Sequence, residues 1–203
     1  MKQEEIWDAV AAEWSEFRAR PMKEVVEFLV DKKDKVLDLG CGSGRHSPEN
    51  LGSELKNLKE LEFYGVDFSE KLLELAKEKG YVEVKKSGVD AIHYGDEFFD
   101  FGIYIAALHC VESAEAREKS LQELYRVLKD GGLAIISVWS RNQKRVKNKP
   151  KEAIVPWTMN GRKYERYYYL YEKDELEGLL KGVGFEVLKS WEDDNIWFEV
   201  LKA

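Results

Sequence analysis

The sequence predicts an α/β fold: a doubly wound, mostly parallel sheet of seven strands, Rossmann-like, whose last strand runs antiparallel. Three observations carry that expectation. Strand-like and helix-like segments alternate along most of the 203 residues, the pattern that lays helices on both faces of a parallel sheet. The run FFDFGIYIAAL, 98–108, is nearly continuous in apolar side chains, as a central parallel strand buried on both faces must be. Two β-rich segments close the chain, and only 192–195 separate them, short enough for an antiparallel hairpin.

An amphipathic helix carrying Ile6, Val10, Trp14 and Phe17 breaks at Pro21, and a second helix spans about 22–30. Together they make an N-terminal helical unit, 1–31. Strand one is 35–39. Pro48 at a first helical position opens a helix expected over 48–59. Strand two is 61–67, and Ser69 caps a helix that presents Leu72, Leu73, Leu75 and Ala76 to the core. Gly80 closes it. Strand three covers 81–86 and leads to strand four. Leu121, Leu124, Val127 and Leu128 at helical spacing mark a helix over 113–128, ahead of Gly131-Gly132 and of strand five, 133–139. A polar connector, 140–163, is long for a structureless loop, which itself suggests function. A tyrosine-rich segment, a helix at about 173–182 and strands 185–191 and 196–202 complete a single domain, 1–203.

Composition narrows the function classes. No window approaches the roughly 18 uncharged apolar residues of a membrane span. The N-terminus, MKQEEIWDAV, is polar and acidic rather than a secretory signal, so a cytoplasmic setting is expected. Cys41 and Cys110 are the only cysteines and form no metal-ligand spacing, so neither a disulfide framework nor a metal site is expected. The net charge of −7 argues against indiscriminate nucleic-acid binding. Residues 141–151 nevertheless gather Arg141, Lys144, Arg145, Lys147, Lys149 and Lys151 without one acid. Such a run reads either as a solvated loop or as a local footprint for phosphates.

The stretch Val36-Leu37-Asp38-Leu39-Gly40-Cys41-Gly42-Ser43-Gly44 is the most informative. An apolar strand runs into an acid and then into three glycines at alternate positions. Without a Cβ, such a turn takes positive φ and lets a ligand lie against the backbone. The spacing differs from the G-x-G-x-x-G of dinucleotide binders. Bare amides suit a pyrophosphate, whereas a carboxylate by the turn suits a cofactor with a cationic amino group. Ligands of doubly wound sheets lie outside the carboxyl ends of the strands, where further groups stand ready. Asp67, with Phe68, follows strand two and can accept from both hydroxyls of a ribose. Asp90, with Ala91, follows strand three and can accept from an adenine amino group. A lone strand-end Asp is also a common helix N-cap, but three beside one glycine turn make a site.

This arrangement resembles the first motifs of the class I S-adenosylmethionine-dependent methyltransferases. The resemblance implies S-adenosylmethionine as cofactor and S-adenosylhomocysteine as product. It places Asp38, Gly40, Cys41, Gly42, Gly44, Asp67, Phe68, Asp90, Ala91 and Ala106 around the cofactor, with Ala106 to His109 flanking the reacting methyl. No Pro-Cys pair follows strand four, and no Asn/Asp-Pro-Pro-aromatic stretch occurs. Attack on a pyrimidine ring carbon and capture of an exocyclic base amine are therefore unsupported, leaving carboxylates, hydroxyls or other amines as acceptors. A carboxylate is already ionised at neutral pH and needs no general base. Holding it in line with the methyl supplies several kcal/mol by proximity and orientation.

WSEFRARP (14–21), AALHC (106–110), Trp139, VPW (155–157), RYYYLYEKDELE (166–177) and DNIWFEVLKA (194–203) resemble the tRNA wobble-uridine carboxymethyl methyltransferases. That resemblance implies esterification of 5-carboxymethyluridine, with the tRNA anticodon loop and a small zinc-binding activator protein as partners. It also implies a cavity roofed by Arg18, His109, Trp139, Arg166, Tyr167, Asp194 and Asn195. Arg18 or Arg166 would fork onto the substrate carboxylate, and Trp139 or Tyr167 would stack on the unpaired base. The family's second histidine is Cys110 here. Fold and cofactor do not fix a substrate, so a small-molecule O- or N-methyltransferase is the alternative. Strand three would lend its edge to the activator.

Overall fold

The computed structural model describes residues 1–203. Its strands, in chain order, are β1 (Asp34–Leu39), β2 (Leu61–Asp67), β3 (Glu83–Lys86), β4 (Phe99–Ile105), β5 (Leu128–Trp139), β6 (Glu152–Met159), β7 (Arg162–Tyr169), β8 (Phe185–Glu192) and β9 (Asn195–Lys202). The α-helices are α1 (Gln3–Phe17), α2 (Lys23–Leu29), α3 (Pro48–Leu51), α4 (Glu70–Ala76), α5 (Ala114–Val127) and α6 (Lys173–Val183). Seven strands make one sheet in the order β3-β2-β1-β4-β5-β9-β8. β1 to β5 pair in parallel, and β9 runs antiparallel to both its neighbours. The chain order reverses between β1 and β4, so the crevice where such folds bind ligands opens there.

Side-chain alternation along the strands builds a core on each face. Leu37, Leu39, Val66, Tyr104 and Ile136 pack against α5 and α6. Val36, Phe63, Ile103 and Ile135 pack against α2, α4 and Leu51 of α3. A third, smaller cluster joins α1 (Ile6, Trp7, Val10, Ala11) to Leu72 of α4 and Tyr164 of β7. That cluster carries α1 over the carboxyl ends of the strands.

Three expectations need correction. The helix expected over 48–59 stops at Leu51, with Gly52 as its C-cap. Gly52-Ser53 are poor helix formers, and the Asn57 amide donates to Leu29 O at 2.9 Å and Lys32 O at 2.6 Å, drawing the chain across the end of α2. Leu75 is exposed on the outer side of α4, one helical step away from buried Ala76. The connector is not structureless throughout. Residues 152–159 form β6, which pairs with β7 as a two-stranded antiparallel ribbon. Its turn is Asn160-Gly161, with φ of +50° and +75°, the positive pair that a tight hairpin requires and that Asn-Gly favours.

Candidate active site

A cavity of about 650 Å³ lies at the carboxyl ends of β1, β2, β4 and β5, with α1 and β7 above it. The glycine turn makes one wall, and its glycines do different work. Gly40 has φ +70°, and a Cβ there would lie 2.4 Å from the Cβ of Ala107. Gly42 has φ +55°, and a Cβ there would meet nothing within 4 Å. Gly40 therefore serves close packing between two strand ends, whereas Gly42 borders open cavity. Gly40→Ala is expected to lower the melting temperature. Gly42→Ala, which bears the strain of a positive φ but no clash, should melt closer to the wild type yet lose affinity for S-adenosylhomocysteine, which thermal scans and calorimetric titration would separate.

Asp67 sits at the end of β2 and is buried. One carboxylate oxygen accepts from the Gly42 amide at 2.9 Å and the other from the Ser69 amide at 2.9 Å. Each oxygen keeps a free lone pair, and desolvation pushes the acid up to about 6 against those amide bonds. Asp90, Val89 and Gly88 line the next stretch of wall, and Ala106, with φ +55°, lines the end of β4. The strained Ala106 backbone is pinned by its amide, which donates to Ser137 O at 2.9 Å. These residues fit S-adenosylmethionine. Asp67 has free acceptors for two ribose hydroxyls, the space at Gly42 admits close approach to backbone, and Asp90 can accept from the adenine. Bound there, the cofactor supplies an electrophilic methyl on its sulfonium.

Asp38 lies elsewhere. It is buried behind the glycine turn, off the cavity wall, and accepts from the Tyr81 hydroxyl at 2.6 Å. Desolvation pushes it up to about 7, and the Tyr81 bond holds it below where burial alone would take it. The bond ties the end of β1, just ahead of the glycine turn, to Tyr81. Tyr81→Phe leaves a buried carboxylate without that donor, and should destabilise the fold by about 1–3 kcal/mol in denaturant titration. Gly44 is packed against Lys79, Tyr81 and Ser47, and Ala91 is exposed outside the cavity.

At the other end of the cavity, His109 is buried and its Nδ1 accepts from the Trp139 amide at 3.2 Å. That bond fixes the tautomer with the proton on Nε2. Burial, with Arg166 and Arg18 adding repulsion, brings His109 down to about 3. Its ring, Trp139 and Tyr168 lie against one another at 4.7–5.7 Å between centroids. Cys110 lines the same end, and burial raises its thiol to about 12, so it is no thiolate nucleophile. Arg18, Arg45, Lys144 and Arg145 border the cavity, and none of them is in an ion pair with a carboxylate. Burial, with Arg18 nearby, draws Arg45 down to about 10, still charged at neutral pH. Asp194 and Asn195, at the start of β9, complete the rim, with Cys41 and Phe68 on the cofactor side.

Neither Arg166 nor Tyr167 lines the cavity wall. Successive residues of a strand point to opposite faces, so Arg166 shares its face with Tyr168. Arg166 is buried, while Tyr167 turns away and accepts from Arg117 at 3.2 Å. The aromatic residue that lines the cavity is Tyr168. Gln3, Trp7, Trp14, Arg45 and His46 line it as well, and sequence reasoning did not assign them. For Tyr168 the signal was available in the alternation of β7.

Residues 37–136 match the Methyltransferase domain family. The chain is 26% identical to the tRNA (carboxymethyluridine(34)-5-O)-methyltransferase of Schizosaccharomyces pombe, over 95% of this chain and 92% of that one. It spans 36% of the relative of that name in Arabidopsis thaliana and 22% of one in Xenopus tropicalis. A solved S-adenosylmethionine-dependent methyltransferase from Thermotoga maritima shares the fold at TM-score 0.70 and 23% identity, covering 98% of this chain and 99% of its own. A methyltransferase solved in complex with the Haloferax volcanii Trm112 methyltransferase activator does so at 0.67 and 15%, covering 97% of each. Glycine turn, ribose acid, sheet order and relatives agree, and the chain is an S-adenosylmethionine-dependent methyltransferase with its Methyltransferase domain at 37–136.

Proposed function

We propose that the enzyme esterifies the carboxylate of 5-carboxymethyluridine at the wobble position of tRNA. One observation carries the reading: four cations without carboxylate partners border a cavity whose two histidines are held neutral. His46, like His109, is brought down to about 3 by burial. Neither is a base poised to take a proton near neutral pH. An acceptor hydroxyl or ammonium would need such a base. A carboxylate needs none, and a cationic end draws it in and orients it. One carboxylate oxygen forms the new bond to carbon as the carbon–sulfur bond breaks, and the electron pair leaves with the thioether. No proton moves.

The basic run adds a tRNA footprint. Lys144 and Arg145 border the cavity itself, and Arg145 lies 5.5 Å from the Trp139 ring centroid. An unpaired base entering here meets an aromatic face and cations for its phosphates. For the activator, β3 is an edge strand with Val82 exposed beside it, the kind of edge that accepts an added strand. The activity of the relatives and the Haloferax complex support both partners. Transfer of labelled methyl to wobble-modified tRNA, with and without a zinc-binding activator, tests the reading. Label in tRNA is expected. Its absence, with cofactor and activator both bound, would favour a small-molecule acceptor.

A further inference from the structure

Arg166 is a buried cation with no anion. It is 1% exposed, and no carboxylate lies within ion-pair distance. Its guanidinium carbon lies 4.8 Å from the Trp14 ring centroid, 5.3 Å from Trp157, 5.3 Å from Tyr168 and 5.4 Å from Trp7. Ring faces stabilise a desolvated guanidinium, but burying an unpaired charge costs several times a hydrogen bond. Its Nε has no partner. One side-chain hydrogen bond aims the charge somewhere: Nη1 donates to the Tyr168 hydroxyl oxygen at 3.0 Å.

That bond determines what the hydroxyl can do. Its oxygen already accepts from a cation, so its proton is the part that donates, toward the weakly accepting Cys110 sulfur until a stronger acceptor enters, and donation is strengthened by the charge behind it. Tyr168 lines the cavity while Arg166 does not. The Tyr168 ring is wedged between His109, at 4.9 Å, and Trp139, at 4.7 Å, so the hydroxyl is fixed before any acceptor arrives. Arg18 borders the same end of the cavity, and its guanidinium carbon lies 5.3 Å from the Trp14 ring centroid. Trp14 thus lies against both guanidinium groups.

We propose that the Tyr168 hydroxyl, held and polarised by Arg166, is a hydrogen-bond donor to the anionic group of the acceptor, with Arg166 acting as its positioning residue. This rests on the reading of the acceptor as a carboxylate. It reassigns the recognition expected of Arg166 and Tyr167 to the residue that shares Arg166's face of β7. The acceptor's charge then supplies the counter-anion that the buried guanidinium lacks.

The test measures binding of two tRNAs, one with 5-carboxymethyluridine and one with unmodified uridine at the wobble position. The protein carries S-adenosylhomocysteine and its activator, and wild type, Tyr168→Phe, Arg166→Lys and the double variant are compared. Wild type should prefer the carboxymethylated tRNA by about tenfold or more. Tyr168→Phe should reduce that preference by about tenfold, leaving affinity for unmodified tRNA, cofactor affinity and melting temperature near wild type. Arg166→Lys should reduce it less, and should add under threefold to Tyr168→Phe. A purely structural role would lower melting temperature and both tRNA affinities together. An unchanged preference in Tyr168→Phe overturns the proposal, as does an Arg166→Lys effect that is undiminished in the Tyr168→Phe background. A wild type that does not distinguish the two tRNAs overturns the carboxylate reading itself, and with it this inference.

Discussion

Asp67→Ala is expected to abolish measurable binding of S-adenosylhomocysteine. The substitution removes two acceptors for the ribose, each charged hydrogen bond being worth about 1.5–3 kcal/mol. It also orphans the Gly42 and Ser69 amides that the carboxylate now holds, loosening the turn that the ligand lies on. Asp67→Asn separates the two effects, because its carbonyl oxygen still accepts from one amide. The wild-type affinity should also depend on pH. Burial raises Asp67 to about 6, and only the ionised form accepts from both hydroxyls. Affinity should therefore be flat above about pH 7 and weaken as pH falls through 6, whereas Asp67→Asn should be weaker and flat there. Calorimetric titration across pH 5–8 reads both.

Lys144→Ala combined with Arg145→Ala should raise the KM for tRNA while leaving cofactor affinity unchanged. Both residues border the cavity away from the glycine turn. For single-stranded nucleic acid, log affinity changes with log salt by about 0.7 per neutralised phosphate. Losing two contacts should flatten that slope by roughly 1.4. Kinetics at 50 and 200 mM salt would measure it. A small-molecule enzyme would show neither change, so the same pair of substitutions separates the two classes of acceptor.

The parts of this molecule that were legible in sequence are those written by local chemistry. β2 falls on the expected 61–67, and Ser69 caps α4 through a bond from the Leu72 amide to its hydroxyl. The position of Asp67 at the end of a strand beside a glycine turn follows from connectivity alone. What escaped depended on facing and packing. Asp38 looks like a ligand acid until Tyr81, 43 residues away, is seen to bond it. Arg166 and Tyr167 were grouped by a motif, but a strand divides neighbours between its faces. The Asn160-Gly161 pair is a hairpin signal, but the polarity of 140–163 around it reads as a loop. The roof of the cavity, Trp7 and Trp14 of α1 against the ribbon, requires tertiary contacts that no spacing in the sequence declares.

The central claim is that the acceptor oxygen belongs to a carboxylate, and the chemistry of the product tests it most directly. A methyl ester is cleaved by mild alkali, whereas a methyl ether or a methylated amine is not. tRNA labelled by the wild-type enzyme should yield a wobble nucleoside one methyl heavier than 5-carboxymethyluridine by mass spectrometry. Mild alkali should release the label as methanol and restore the original mass. Label that survives alkali, or that maps to any other nucleoside, would contradict the account.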